Sequence, residues 1–309
     1  GARRRSAATP ASPIGMKGRM VPDKTGASAR DAGTQFLLTG PGTPPRVLLR
    51  SLWQARTLVG VLARKDFFVR YRRTRLGLLW AIALPVVQAA VLAAVFSSLV
   101  SGVGAATGDR GTSYAVFVFA GMVPWAYFSA AFTAGATSVV DGANLAQRIY
   151  FPRLVLPLVA VTTALFPLVA TLLVLLGLVV VLGPGLGLAT LWVLPGAGLV
   201  MVVALGLALL FSAAQVYLRD LRFAVSAGMT VLFYLTPVIY PVTRAPEALR
   251  PVVELLPAAG PVELFRHAVG AAGPGLWRSV AASLVWAVVA GGVGFVVHCR
   301  RDRVLADLL

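Results

Sequence analysis

From Leu154 to Leu218 this chain carries no Asp, Glu, Lys or Arg. So long a charge-free run cannot lie on a water-facing surface, and it is too long for one helix. A helix that spans a bilayer needs about 20 apolar residues. The run breaks at Gly183-Pro184-Gly185, which predicts two spans over 154–182 and 188–216. Four more charge-free stretches predict spans over 76–100, 114–140, 223–243 and 279–297. The expected fold class is therefore an all-α integral membrane protein with six transmembrane helices. Composition agrees: 58% of the 309 residues are hydrophobic and only 13% charged, about half the charged share of a soluble domain. Pro85, Pro124, Pro157, Pro167, Pro195 and Pro237 fall in or near the spans. There they are read as packing kinks, because neighbouring helices satisfy the freed carbonyls.

Net charge is +17, but its placement matters more than its size. Of 28 Lys and Arg, 16 precede Leu76. Basic residues clustered on one flank of a hydrophobic chain set orientation rather than bind nucleic acid. With the N-terminus inside, the inner side holds 23 of them and the outer side 5. Both termini are therefore expected in the cytoplasm.

Residues 1–45 are rich in Gly, Ala, Pro, Ser, Thr and Arg without an apolar period, and predict a disordered basic cytoplasmic tail. No apolar stretch follows Arg3-Arg4-Arg5, so a secretory signal is not expected there. Residues 46–75 interleave Leu48, Leu52, Leu58, Leu62 and Phe67 with Arg50, Arg56, Arg64, Lys65 and Arg70. That pattern predicts an amphipathic helix lying in the membrane interface. Residues 76–309 then form the six-span domain. Between spans five and six, Arg244 to Arg278 alternates short apolar runs with Pro246, Pro251, Pro257, Pro261 and Pro274. Two short re-entrant helices dipping back from the outer side are expected.

Catalytic chemistry is hard to find. The 11 acidic residues all lie outside the predicted spans, whereas proton-coupled carriers and intramembrane hydrolases place ionisable groups inside them. A single cysteine, Cys299, and two distant histidines, His267 and His298, predict no metal centre. Gly18 to Thr25 resembles a phosphate loop, but Asp23 replaces its second glycine and Pro22 interrupts it. No cofactor is expected on this chain, and any ATP must be hydrolysed on another.

Several patterns occur in order. Arg64-Lys65-Asp66-Phe67-Phe68-Val69-Arg70-Tyr71-Arg72 leads into Leu76-Gly77-Leu78-Leu79-Trp80 and Pro85. Asn144 to Arg153 follows, then Tyr217 to Arg222, Thr236 to Pro241, Leu256-Pro257 to Arg266, and Arg300 to Leu309. Together these resemble type-2 ABC transporter permeases of the polysaccharide exporter group, which serves O-antigen, teichoic acid and galactan export. The resemblance runs from Leu48 to the C-terminus. It departs at Leu256, where the family often has Asn, and the tail before Arg46 lies outside its pattern.

The resemblance implies a homodimer in the cytoplasmic membrane of a bacterium with two copies of a cytoplasmic ATPase that binds ATP and Mg. Its implied substrate is a polysaccharide linked to a polyprenyl diphosphate. Richness in Ala, Val and Arg with little Lys fits a GC-rich genome, for which galactan is the suggested glycan. The resemblance also implies a coupling helix to the ATPase at Asn144, Gln147, Arg148, Ile149, Tyr150, Phe151, Pro152 and Arg153. Arg70, Arg72, Arg73 and Arg75, at the inner mouth of span one, are candidates for the diphosphate, because guanidinium forks suit phosphate oxygens. Anionic membrane lipids are the competing ligand for them. Sugars stack their C–H faces on aromatic rings. Trp80, Phe96, Phe117, Trp125, Tyr127, Phe128, Phe132, Phe233, Tyr234 and Tyr240 are therefore candidates for a conduit, with Trp125, Tyr127 and Phe128 as the densest cluster. A drug- or lipid-exporting permease of the same superfamily is the alternative, and a membrane glycosyltransferase a remote one.

Overall fold

A computed structural model describes residues 53–72, 79–99, 112–143 and 152–307. Every described element is helical. In chain order they are α1 (Arg56–Arg72), α2 (Leu79–Leu99), α3 (Tyr114–Asp141), α4 (Val155–Thr163), α5 (Leu165–Leu182), α6 (Val193–Tyr217), α7 (Leu221–Leu235), α8 (Arg250–Glu254), α9 (Ala259–Ala268) and α10 (Leu276–Asp307). A 3-10 turn, Leu188–Trp192, leads into α6. Residues 1–45, most of the expected coupling segment and Arg73 and Arg75 lie outside the described residues.

Among the described residues, four segments are long and apolar enough to cross a membrane: α3, α4 with α5, the 3-10 turn with α6, and α10. They differ in burial. In α3, 78% of the most apolar stretch is buried, against 22% in α4–α5 and 28% in α10. The bundle is thus built round α3, and the other segments turn wide faces of Val and Leu outward, as lipid-facing helices do. Ser113 caps α3, its hydroxyl accepting from the Val116 amide.

Local chemistry explains most boundaries. A single residue, Ala164, separates α4 from α5. Pro167 has no amide to give the Thr163 carbonyl, so the ladder opens there. The loop after α5 turns through Gly185 at φ 82°, a conformation that favours glycine. The apolar run expected to span 223–243 is helical only to Leu235. Pro237 can donate no hydrogen bond, and Thr236 before it is extended at φ −70°, ψ 136°. The 15-residue α7 is therefore about 22 Å long. The last helix instead starts earlier than the expected 279 and runs on to Asp307. Arginines there end an apolar run without ending a helix.

Helices pack closely where side chains are small. A Cβ on Gly206 of α6 would sit 2.9 Å from the Ala287 carbonyl of α10. One on Gly294 of α10 would sit 2.6 Å from the Leu210 amide of α6. Membrane helices use such residues to bring backbones together. Nearby, buried His298 of α10 places Nε2 3.1 Å from the Ser212 hydroxyl of α6.

The two short helices expected after span five are present as α8 and α9. Residues 259–266 of α9 are all buried. Polar bonds tie the pair to α10: the Ser283 hydroxyl donates to the Pro257 carbonyl at 2.9 Å, and the Gly260 amide donates to that hydroxyl at 3.1 Å. The Trp286 indole donates to the Leu255 carbonyl at 2.9 Å.

α1 lies against α4, with Ala55 and Ala63 packed on Val155, Leu156 and Val159. Its other faces expose Arg56, Arg64, Lys65 and Arg70 together with Val61, Phe68 and Val69. The Arg56 guanidinium lies 4.8 Å from the Trp53 ring centroid, and that of Arg64 lies 5.6 Å from Phe68. Basic heads over exposed aromatic rings suit a surface that is half water and half hydrocarbon.

Candidate functional site

A groove of about 460 Å³ opens between α2, α3 and α7. α3 contributes Met122, Trp125, Ala126 and Ser129, spaced i, i+3, i+4 and i+7 along one helical face. α7 contributes Met229, Thr230, Phe233 and Tyr234, and α2 contributes Gln88. The Trp125 and Phe233 rings stand 5.6 Å apart across the groove, and Phe233 meets Tyr234 edge-on at 5.3 Å. Gln88, Ser129 and Thr230 supply an amide and two hydroxyls beside these rings. The wall can therefore offer flat apolar faces and hydrogen bonds to the same ligand.

The expected aromatic residues separate into distinct places. Trp125, Phe233 and Tyr234 line the groove. Phe128 and Phe132 are buried, stacked on each other at 5.9 Å, with Phe132 against Phe211 of α6 at 5.1 Å. Tyr127 points to the other side of α3, where its hydroxyl donates to the Val161 carbonyl at 3.1 Å. Residues two apart on a helix are turned about 200° from each other, so Trp125 and Tyr127 cannot share one wall. Trp80 lines a neighbouring cavity that shares Ala126 and Ala130 with the groove. Tyr240 folds back, its hydroxyl donating to the Leu235 carbonyl at 2.8 Å. The Phe96 side chain lies outside what the structure describes. Gln88, Ser129 and Thr230 were not anticipated. The only signal for Ser129 is its place four residues beyond Trp125, on the same face.

Phe117 belongs to a buried cluster at one end of the groove helices. The Arg266 guanidinium of α9 lies 3.9 Å from its ring centroid. Arg266 also donates to Glu263 at 2.8 Å and to the Val238 carbonyl at 3.0 Å. Glu263 accepts from the Gly273 amide at 2.9 Å. Both charged side chains are fully buried, at 0% and 1% exposure. The cluster joins α9, the first turns of α3 and the 236–241 turn. It is reinforced by the Tyr114 hydroxyl, which donates to Ile239 O at 2.7 Å, and by Thr112, whose hydroxyl donates to Val269 O at 2.8 Å. Gly121 lets the turn approach α3, since a Cβ there would meet the Val238 carbonyl at 2.7 Å.

At the opposite end of α3, Arg222 in the first turn of α7 donates to Asp141. Both side chains are about half exposed. Of the expected coupling residues, Pro152 is buried and Arg153 partly buried, just before α4; the others are outside the described residues. Arg70 lines two cavities beneath α1.

Residues 57–269 match the family described as ABC-2 type transporter. An O-antigen export system permease protein RfbA of Klebsiella pneumoniae is 30% identical over 217 residues, covering 69% of this chain and 81% of that protein. One from Myxococcus xanthus is 29% identical over 253 residues, covering 78% of this chain and 93% of its own length. The matched region takes in α1, both walls of the groove and the Arg266 cluster. With its helical bundle and most of its length aligned to these proteins, the chain belongs to the ABC-2 type transporter family and is a multi-pass membrane permease subunit.

Proposed function

We propose that this chain is the membrane-spanning subunit of a bacterial exporter that moves a polyprenyl-diphosphate-linked surface or cell-wall polysaccharide across the cytoplasmic membrane. The observation that carries this reading is the groove, where Trp125, Phe233 and Tyr234 stand beside Gln88, Ser129 and Thr230. A sugar has C–H faces for the rings and hydroxyls for the polar groups. The names of the relatives point to the same substrate class, and galactan is the specific glycan proposed.

Six crossings are proposed: α2, α3, α4–α5, α6, α7 and α10, with both termini in the cytoplasm. The charge count of 23 against 5 supports this orientation. α8 and α9 then dip in from the outer side and complement the short α7. The groove opens outward between α2, α3 and α7, and α7 exposes Phe223, Val231 and Tyr234. A second copy of the chain would close it, and two copies of a separate ATPase would bind ATP and Mg and drive transport. Residues 144–153 would seat on that ATPase. Of Arg70, Arg72, Arg73 and Arg75, the last three are proposed to meet the carrier's diphosphate at the inner surface.

The test is reconstitution of this chain with its ATPase in vesicles, followed by measurement of ATP-dependent movement of lipid-linked glycan. Trp125→Ala with Phe233→Ala should lower glycan movement and leave complex assembly intact. Transport of a drug or a glycan-free lipid, with no movement of glycan, would overturn the reading in favour of the alternative permease class. ATP hydrolysis by this chain alone would overturn the division of labour.

A further inference from the structure

Two cavities adjoin beneath α1, and the first shares Ala126 and Ala130 of α3 with the groove. The first, about 260 Å³, is mainly apolar and is walled by Trp80, Leu84, Pro85, Tyr127 and Pro167. The second, about 340 Å³, is more polar and is walled by Lys65, Asp66, Thr137, Ser138 and Asp141. Arg70, Ala134, Ala160 and Thr163 line both, so the two form one space with an apolar and a polar compartment. α1 is held over this space by Phe67, whose ring stacks on Phe166 at 4.5 Å.

The apolar compartment reaches the outer surface of the bundle. Trp80, Leu84 and Phe166 at its rim are between 40% and 58% exposed, on faces that can meet only lipid chains if the bundle spans a membrane. The polar compartment has spare positive charge. Asp141 is engaged by Arg222. Lys65, Arg70 and Asp66 form no ion pair among the described residues, which leaves two cations against one carboxylate.

We propose that this space holds a membrane phospholipid with an anionic headgroup. Its phosphate lies by Lys65 and Arg70, where the arginine fork and the ammonium can both donate to it. One acyl chain occupies the slot beneath Trp80 and Pro85. The lipid is a resident component that seats α1 on the bundle. The inference does not rest on what the chain exports, and it gives Arg70 a ligand distinct from the transported carrier.

Trp80 provides the readout. The full-length protein is placed in phosphatidylcholine vesicles containing a minor share of phosphatidylglycerol, with brominated chains on one lipid or the other. The Trp80 signal is the fluorescence lost in Trp80→Phe. Brominated phosphatidylglycerol should quench it with a preference of up to about thirtyfold over brominated phosphatidylcholine, the scale expected of two cations near a lipid surface. Lys65→Gln with Arg70→Gln should abolish the preference. Ala164→Leu, which narrows the slot from its α4–α5 wall and keeps both cations, should abolish it too, with helicity by circular dichroism unchanged. Equal quenching by the two lipids, or a preference that survives both variants, would overturn the proposal. So would displacement of brominated phosphatidylglycerol by an equal amount of polyprenyl diphosphate, which would assign the space to the carrier. The assay contains no ATPase and no glycan, so its failure is separate from any failure of the export reading.

Discussion

Two arginine–carboxylate pairs mark the two ends of α3, and their settings are opposite. Arg266 and Glu263 are fully buried, and beyond their own bond they reach the Val238 carbonyl and the Gly273 amide in two other segments. Arg222 and Asp141 are half exposed and join only the end of α3 to the start of α7. The chemistry of the pairs is the same, but the energetic stake is not. A buried charge that loses its partner cannot turn to water, so breaking such a pair is strongly destabilising. An exposed pair gives up a bond that water and salt replace. One end of the bundle is therefore locked by buried charge, while the other is held by a contact that water can replace.

The largest effect is expected from Glu263→Ala. It strands the Arg266 charge and frees the Gly273 amide, and should cost about 3–5 kcal/mol. Thermal unfolding in detergent, followed by tryptophan fluorescence, measures it; a loss below about 1 kcal/mol would erase the contrast between the two ends. Replacing both charges, Glu263→Leu with Arg266→Met, sharpens the point. The double variant should recover to within about 2 kcal/mol of the unaltered protein, because no lone charge remains. If it is as unstable as Glu263→Ala, the cluster acts through its bond to Val238 O and not through charge. Tyr114→Phe removes one hydrogen bond at the same end and should cost about 1 kcal/mol. The smallest effect is expected at the other end. A double-mutant cycle with Arg222→Ala and Asp141→Ala should give a coupling of less than about 1 kcal/mol that fades as salt is raised. A coupling that large salt additions leave untouched would mean that this pair is shielded.

The same contrast shows which features sequence reveals. Long apolar runs report helices of membrane-crossing length directly, so the four long ones among the described residues are legible, as is the break at Gly183-Pro184-Gly185. The end of α7 was not, because Val238 and Ile239 keep the run apolar after Pro237 has stopped the hydrogen bonds. Arg266 reads in sequence as one more basic residue in a loop. Its burial depends on Phe117, Glu263 and Val238, which three separate segments supply. The groove was half legible. Aromatic content points to Trp125, Phe233 and Tyr234, and Trp125 and Phe128, three residues apart, do meet at 5.8 Å, but the turn of α3 sends Tyr127 to the other side. Gln88 and Thr230 have no periodic signature, because each belongs to a different helix and only packing brings them together.

The contact between α6 and α10 also bears on mechanics. Where backbones meet with no side chains between them, as at Gly206 and Gly294, there is no slack for sliding. α3 joins the same body, since a Cβ on Gly135 would meet that of Ala208 at 2.5 Å. These three helices form a post, and α2 and α7 are the leaves hung beside it. Any widening of the groove must come from the leaves, because the post cannot yield without its backbones parting. α7 meets the Asp141 end of α3 through its first turn, where Arg222 sits. The weaker of the two ion pairs thus stands at the latch, and its weakness lets the leaf swing.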